Sequence, residues 1–378
     1  MKKSNSHLLF VVNADYFFVS HRLSMALACI EQGFRVSLIT KNTGQRSYIE
    51  SLGIDFYDLQ LDRGSKSPLQ NLKELWLLRK LYHQINPDLI HLVGIKLILL
   101  GSIARLGLGN SIVLNAVAGL GSALSQNKES LLKRIFFLMG FMFRKSYQHF
   151  LFQNEQNAQF FQQLLHLKSL QISFIKGTGI DTNYFVYTSE SVQTPLKVCL
   201  IARMLKDKGV LDFIEAAELL RKKWEGKAIF ELIGPIDEAN PSALTQQELE
   251  ANVDNFYIMW KGAQSPILPF LQTAHIIVLP SYHEGFPRIL LEASAVGRAI
   301  VASDCDGCKA LIEHHKNGLI VPIGHIEALA QQIDYLLEKP EVRHLLGYNA
   351  RQVVVDNYTE PHLNQAFIAL YHRLLCGK

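Results

Sequence analysis

Two acidic side chains and two basic ones stand at spacings that suit chemistry. Glu284 and Glu292 lie eight residues apart, and Arg203 and Lys208 lie five apart in a turn that ends at Gly209. An ionised carboxylate accepts two hydrogen bonds, so it suits the vicinal hydroxyls of a sugar and repels phosphate. A guanidinium and an ammonium beside a helix N-terminus have the opposite preference and clamp a diphosphate. One kind of ligand satisfies both sets: a nucleotide sugar.

The flanking sequence supplies elements to position these groups. His275 to Pro280 is an apolar run of the kind that forms a buried strand in a parallel sheet. Ser281 to Phe286 follows as a tight polar loop. Pro287 then fits a first helical position, with Ile289, Leu290, Ala293 and Val296 at helical spacing and Gly297 as the stop. Such a junction aims backbone amides and the positive end of a helix at whatever lies beyond the strand. Glu292 is about 7.5 Å along the helix from Pro287 and leans back toward its start, within reach of a ligand that Glu284 meets. The same strand, turn and helix pattern recurs as Leu196 to Ile201, Ala202 to Gly209 and Val210 to Arg221. Ala228 to Ile233 is a further strand, ending at Gly234, and Phe256 to Trp260 leads into Gly262.

Taken singly, a loop glutamate, a helical glutamate and two turn cations are ordinary solvated charges. Their context gives them weight. Asp304-Cys305-Asp306-Gly307 and Asn317-Gly318-Leu319-Ile320-Val321-Pro322 follow the glutamate pair. A Glu-x7-Glu element preceding a glycine turn and an Asn-Gly-hydrophobic-Pro turn resembles glycosyltransferase family four. The likeness runs through most of the chain and is similar to bacterial enzymes that extend lipid-linked oligosaccharides, including diphospho-undecaprenol N-acetylhexosaminyltransferases and hexosyltransferases. It implies α/β architecture of the GT-B kind: two Rossmann-like domains facing across a cleft, with a C-terminal helix crossing back to the first. The boundaries expected are 1–190 with the helix 361–378 for the acceptor domain, and 191–360 for the nucleotide-sugar domain.

The resemblance also implies roles. Arg203, Lys208 and Glu284 become the catalytic set; Gly234, Gly262, Gly285, Phe286, Pro287, Arg288 and Glu292 bind the donor. The reaction implied is transfer of a hexose or N-acetylhexosamine, with retained configuration, from a UDP-sugar to an undecaprenyl-diphosphate-linked saccharide in surface glycan synthesis, such as lipopolysaccharide or capsule. No metal or other cofactor is expected, because cations offset the diphosphate charge. A UDP-sugar 2-epimerase on the same fold, and a non-catalytic nucleotide-sugar-binding scaffold at the membrane, are the competing readings.

Composition is consistent with two domains. At 378 residues the chain suits two units of about 150 to 200. Five cysteines, an odd number without regular spacing, fit a reducing compartment. No uncharged run reaches the roughly 18 residues of a membrane-spanning helix, and no signal-peptide pattern opens the chain, so a cytoplasmic protein is expected. Residues 1–190 hold 20 Lys+Arg against 12 Asp+Glu, a net of +8; residues 191–378 hold 18 against 22, a net of −4. The basic first half calls for an anionic partner, either the inner leaflet of the cytoplasmic membrane or a phosphorylated acceptor. No nucleic-acid partner is implied.

The first half opens strand, helix, strand, but the turn from Ala14 to Arg22 contains no glycine, which argues against a dinucleotide-binding dehydrogenase. By resemblance His21 and Arg22 face the acceptor, as does Lys96 after the strand Asp88 to Val93; a helix-start histidine and surface cations remain the alternatives. Gly119 and Gly121 form a loop whose bare backbone can approach a phosphate. Leu131 to Tyr147 carries nine apolar residues between Lys133-Arg134 and Arg144-Lys145, too short to cross a bilayer. It reads either as an interfacial helix or as a core helix.

Two patterns imitate metal sites. Asp304-Cys305-Asp306 resembles the Asp-x-Asp of an unrelated sugar-transferase fold, and Cys305-x-x-Cys308 has no second ligand pair at zinc spacing. Neither is read as a metal site.

Overall fold

A computed structural model describes residues 6–60, 68–117, 131–191, 194–238 and 240–377. The chain forms two compact units, residues 1–179 with 360–378, and residues 180–359.

In the first unit, β1 (His7–Ala14), β2 (Arg35–Lys41), β3 (Asp55–Asp58), β4 (Leu89–Val93), β5 (Ile112–Val117), β6 (Gln148–Phe152) and β7 (Ile172–Phe174) form a parallel sheet in the order β3-β2-β1-β4-β5-β6-β7. The central strands are near-continuous apolar runs, and every residue of β4 and β5 is buried, because helices cover both faces. The order reverses between β1 and β4, whose register pairs Leu8 with Leu89 and Phe10 with His91.

Three local differences from the sequence reading have simple causes. The segment after β1, read as a turn, forms the helix Asp15–His21, held by Asp15, which accepts from the Thr43 and Gln45 amides at 2.7 and 3.0 Å. The segment 131–147 splits into Leu131–Leu138 and Gly140–Phe143. Phe136, Met142 and Phe143 enter the core, with Phe136 and Phe143 stacked at 5.5 Å, while Phe137 and Phe141 point outward, each 59% exposed. Thus the core reading holds for Phe136, Met142 and Phe143, while Phe137 and Phe141 stay on the surface. The remaining difference concerns Pro287 in the second unit, which caps its helix from outside instead of opening it.

The last helix, Glu360–Cys376, belongs to the first unit and packs on the helix Leu23–Glu31. Its buried residues Leu363, Phe367, Leu370 and Leu374 follow helical spacing, and burying each contributes about 1.5–3 kcal/mol. The His91 ring meets the Tyr371 hydroxyl at 2.7 Å, and Asn364 Nδ2 donates to Ser24 Oγ at 2.8 Å.

The second unit repeats the architecture. Strands β8 (Leu196–Ile201), β9 (Ala228–Ile233), β10 (Ile258–Trp260), β11 (Ile276–Leu279), β12 (Ala299–Ser303) and β13 (Leu319–Val321) are all parallel, in the order β10-β9-β8-β11-β12-β13. The reversal falls between β8 and β11, paired at Ile276 with Val198 and Ile277 with Cys199. Open α/β sheets bind ligands beyond the carboxyl ends of the strands at such a point. The turn carrying Arg203 and Lys208 leaves β8, and the loop carrying Glu284 leaves β11.

Candidate active site

Lys208 ends a short 3-10 turn, Lys206–Lys208, and Gly209 then caps the helix Val210–Trp224. Gly209 has φ +67°, and a Cβ there would lie 2.2 Å from the Pro280 carbonyl oxygen. This close approach holds the β8 turn against the start of the β11 loop. The Tyr282 amide donates to the Asp207 carbonyl at 3.0 Å and ties the two loops further.

The ammonium of Lys208 consequently reaches Glu284 and donates to its Oε1. Ser281 Oγ donates to the same oxygen at 2.9 Å. Both charged side chains are largely shielded, at 20% and 11% exposure. Behind them lies Gly307, whose Cβ, were it present, would be 2.5 Å from the Glu284 carbonyl oxygen, so the Asp304 to Gly307 turn supports the Glu284 backbone directly. Buried Ser303, at the end of β12, donates through Oγ to the Ser281 carbonyl.

Arg203 leaves β8 beside Ala202, whose amide donates to the Ile233 carbonyl at 3.0 Å, and its Nη1 meets the Asp237 carboxylate after β9. This guanidinium is 45% exposed. Gly234 and Gly262 adjoin one another: the Gly234 amide donates to the Gly262 carbonyl at 2.8 Å, and Trp260 Nε1 donates to the Gly234 carbonyl at 3.0 Å. Past the loop residues Gly285 and Phe286, Pro287 caps the helix Arg288–Ala295, with φ −73° and no side-chain cap. Glu292 is buried in that helix, and Arg288 Nε donates to its Oε1 at 2.9 Å. Burial pushes its carboxyl pKa above the usual value, against the opposing pull of Arg288.

The structure therefore groups the expected residues as three ion pairs along one sheet edge: Lys208 with Glu284, Arg203 with Asp237 and Arg288 with Glu292. Asp237 and Ser281 were missed in the sequence. An acidic residue three positions beyond Gly234 was the available signal for the first; nothing local distinguished the serine. Chemically, the edge offers cations already matched to carboxylates. An entering diphosphate would exchange partners with them and would not meet bare positive charge.

Cys305 and Cys308 are buried free thiols behind this loop, and the hydrogen bond from Cys308 brings the Cys305 thiol down to about 7. Among the described residues no group of three His, Cys, Asp or Glu side chains is placed to hold a metal ion.

In the first unit His21 ends the helix after β1, its Nδ1 2.6 Å from Ser20 Oγ and its ring stacked on Phe17 at 4.2 Å. Arg22 is buried, donates through Nη1 to the His21 carbonyl at 3.2 Å and lies 5.9 Å from the Phe367 ring centroid. Lys96 follows β4 and pairs with buried Glu74 at 2.8 Å. All three residues come after the strands that flank the reversal, β1 and β4. Gly119 and Gly121 lie outside the described residues.

Residues 188–353 match the family described as glycosyl transferases group 1, and residues 7–154 match glycosyl transferase 4-like proteins. The N,N'-diacetylbacillosaminyl-diphospho-undecaprenol alpha-1,3-N-acetylgalactosaminyltransferase of Campylobacter jejuni is 32% identical over 97% of this chain and 98% of its own length. The UDP-Gal:alpha-D-GlcNAc-diphosphoundecaprenol alpha-1,3-galactosyltransferase of Escherichia coli is 22% identical over 86% of this chain and 85% of its own. Among solved structures, sucrose-phosphate synthase from Thermosynechococcus elongatus superposes with a TM-score of 0.81 at 18% identity, covering 99% of this chain and 100% of that one. Anabaena Alr3699/HepE in complex with UDP-glucose gives 0.76 at 17% identity, covering 97% and 100%. These structural likenesses bear on the fold.

Proposed function

The chain belongs to the group 1 glycosyl transferases and has the GT-B type of α/β fold, and from that premise we propose that it moves an N-acetylhexosamine or hexose from a UDP-sugar to a lipid-linked, undecaprenyl-diphosphate-borne saccharide. The observation that carries this reading is the full-length likeness to the Campylobacter jejuni N-acetylgalactosaminyltransferase. The Escherichia coli relative, also named for a diphosphoundecaprenol acceptor, supports it, as does the neighbour solved with UDP-glucose.

In this mechanism the diphosphate takes Lys208 from Glu284 and Arg203 from Asp237. The released Glu284 carboxylate accepts hydrogen bonds from donor-sugar hydroxyls, and Glu292 holds the ribose. The anomeric carbon's bond to the diphosphate oxygen breaks while its bond to the acceptor hydroxyl oxygen forms on the same face. The acceptor proton passes to the departing phosphate, and UDP leaves. Catalysis comes from positioning and from cations facing the charge that grows on the leaving group. With Lys208 and Arg203 in that role the reading needs no metal. Gly234, Gly262 and the run Gly285 to Arg288 line the donor with backbone. His21, Arg22, Lys96, Gly119 and Gly121 serve the acceptor.

The protein works at the cytoplasmic face of the membrane in this reading. No helix among the described residues is long and apolar enough to cross a bilayer. Outward-facing Phe137 and Phe141 sit among exposed Arg134, Arg144 and Lys145, a composition suited to anionic headgroups.

Incubation of radiolabelled UDP-sugars with and without undecaprenyl-diphosphate-linked saccharide tests the assignment. Organic-extractable label that requires the acceptor is expected. Free epimerised donor would replace transfer by a 2-epimerase activity, and donor binding without turnover would leave only a scaffold.

A further inference from the structure

The first unit contains a cavity of about 850 Å³ at the amino ends of β5, β6 and β7, on the opposite edge of the sheet from His21, Arg22 and Lys96. Its lining includes Arg105, Tyr147, His149, Ser169, Leu170 and Arg373 and contains no aspartate or glutamate. The volume falls in the range of about 300–1,000 Å³ typical of small-molecule sites.

Its charge is one-sided. Arg105 is buried, stacked 4.2 Å from the Tyr147 ring centroid, and donates through Nε and Nη2 to the Ser111 and Gly109 carbonyls at 2.8 and 3.0 Å. Arg373, from the last helix, donates through Nη2 to Ser173 Oγ at 2.8 Å. Among the described residues, no carboxylate forms an ion pair with either guanidinium. Arg105 is shielded without a counter-charge, which costs stability that an arriving anion offsets, while Arg373 is exposed at the rim. His149, in β6, lines the same cavity, where burial and the Arg373 charge both hold its pKa below the usual value. Two guanidiniums and the Ser169 hydroxyl on one lining supply donors of the kind a tetrahedral oxyanion takes, since arginine meets phosphate through N–H donors. Leu170, 90% exposed, gives the rim an apolar lip.

We propose that this cavity binds a phosphate-bearing small anion between Arg105 and Arg373, separately from both the sugar-donor edge and the acceptor-side residues. A free metabolite and a lipid headgroup whose chain leaves over Leu170 present the same phosphate chemistry, and the test distinguishes them.

The test uses the full chain. Inorganic phosphate and monomeric dihexanoyl phosphatidylglycerol are each titrated calorimetrically into wild type, Arg373→Gln, Arg105→Lys and the double variant Arg203→Ala/Lys208→Ala, and phosphate-soaked crystals locate the anion. Phosphate density between Arg105 and Arg373, with affinity kept by the double variant and reduced about tenfold or more by Arg373→Gln, is expected for loss of one charge-assisted contact. Arg105→Lys keeps charge but loses the fork, and should weaken binding without unfolding. Binding of phosphate alone assigns a free metabolite; tighter binding of the short-chain lipid assigns a headgroup. Absence of binding by either probe, or binding lost in the double variant and kept in Arg373→Gln, overturns the proposal. Because the double variant removes only the donor cations, failure of the glycosyl-transfer reading would register there and leave this result separate.

Discussion

Lys208 donates to the carboxylate oxygen of Glu284 that also accepts from Ser281 Oγ, joining residues 76 positions apart. The pair sits where β8 and β11 meet, and its two charges compensate one another before any substrate is present. In the proposed mechanism a diphosphate and a sugar would each displace one half of this pair, so binding would separate charges that the protein has already desolvated. The predictions below follow from that exchange.

Arg203→Ala and Lys208→Ala should each lower transfer by about 10²–10³-fold, the usual loss for one preorganised contact to developing charge. Arg203 is 45% exposed, so breaking its pair with Asp237 should alter stability by no more than about 1 kcal/mol. Steady-state rates and thermal unfolding measured on the same preparations decide this. Undiminished turnover would remove both cations from the mechanism.

Glu284→Gln retains a group able to accept from Ser281 but lacks the charge that holds Lys208. Turnover should fall, while UDP binds as tightly as before or more tightly because the diphosphate no longer competes with a carboxylate for the ammonium. Calorimetric UDP titration beside rate measurement separates the two effects. A parallel loss of UDP affinity and rate would contradict the exchange.

Glu292 should make stability depend on pH in a definite direction. Its folded-state pKa is raised above the ordinary 4.5, chiefly by burial, so its contribution to stability is present below that value and lost as pH rises through the raised one. Glu292→Gln lacks this loss. The unfolding temperature of the variant relative to wild type should therefore increase as pH rises above the ordinary carboxyl value of 4.5, even as donor affinity falls. A constant difference across that range would reject the account.

Gly307→Ala places a methyl against the Glu284 carbonyl oxygen, a backbone atom that cannot rotate away. Destabilisation of about 1–3 kcal/mol is expected, as for overpacked sites, together with reduced transfer as Glu284 shifts. Denaturant unfolding and single-turnover rates test both parts. A stable, fully active variant would show that the turn behind Glu284 yields freely.

Local signals in the sequence carried much of the architecture. Continuous apolar runs mark strands such as Ile112–Val117, and helical spacing marks Glu360–Cys376, because burial on both sheet faces or on one helix stripe constrains residue type at short range. The Glu-x7-Glu spacing and the glycine turns likewise identified the loops after β8 and β11. Local reading failed where a distant group supplied the deciding bond. Asp15 starts a helix with its carboxylate held by the 43–45 turn, and Phe136 and Phe137 face opposite environments although they are neighbours of identical type.

The sequence by itself determined most of the strands and helices, which loops carry charge, and the family to which those loops belong. Only the tertiary structure decided that Lys208 meets Glu284, that Arg203 meets Asp237, and that Arg105, His149 and Arg373 line one cavity. Strand order and register are settled by packing of the whole sheet. Hydrogen bonds and ion pairs act over a few ångströms, so partners tens to hundreds of residues apart are chosen by that packing and leave no periodic trace in the chain.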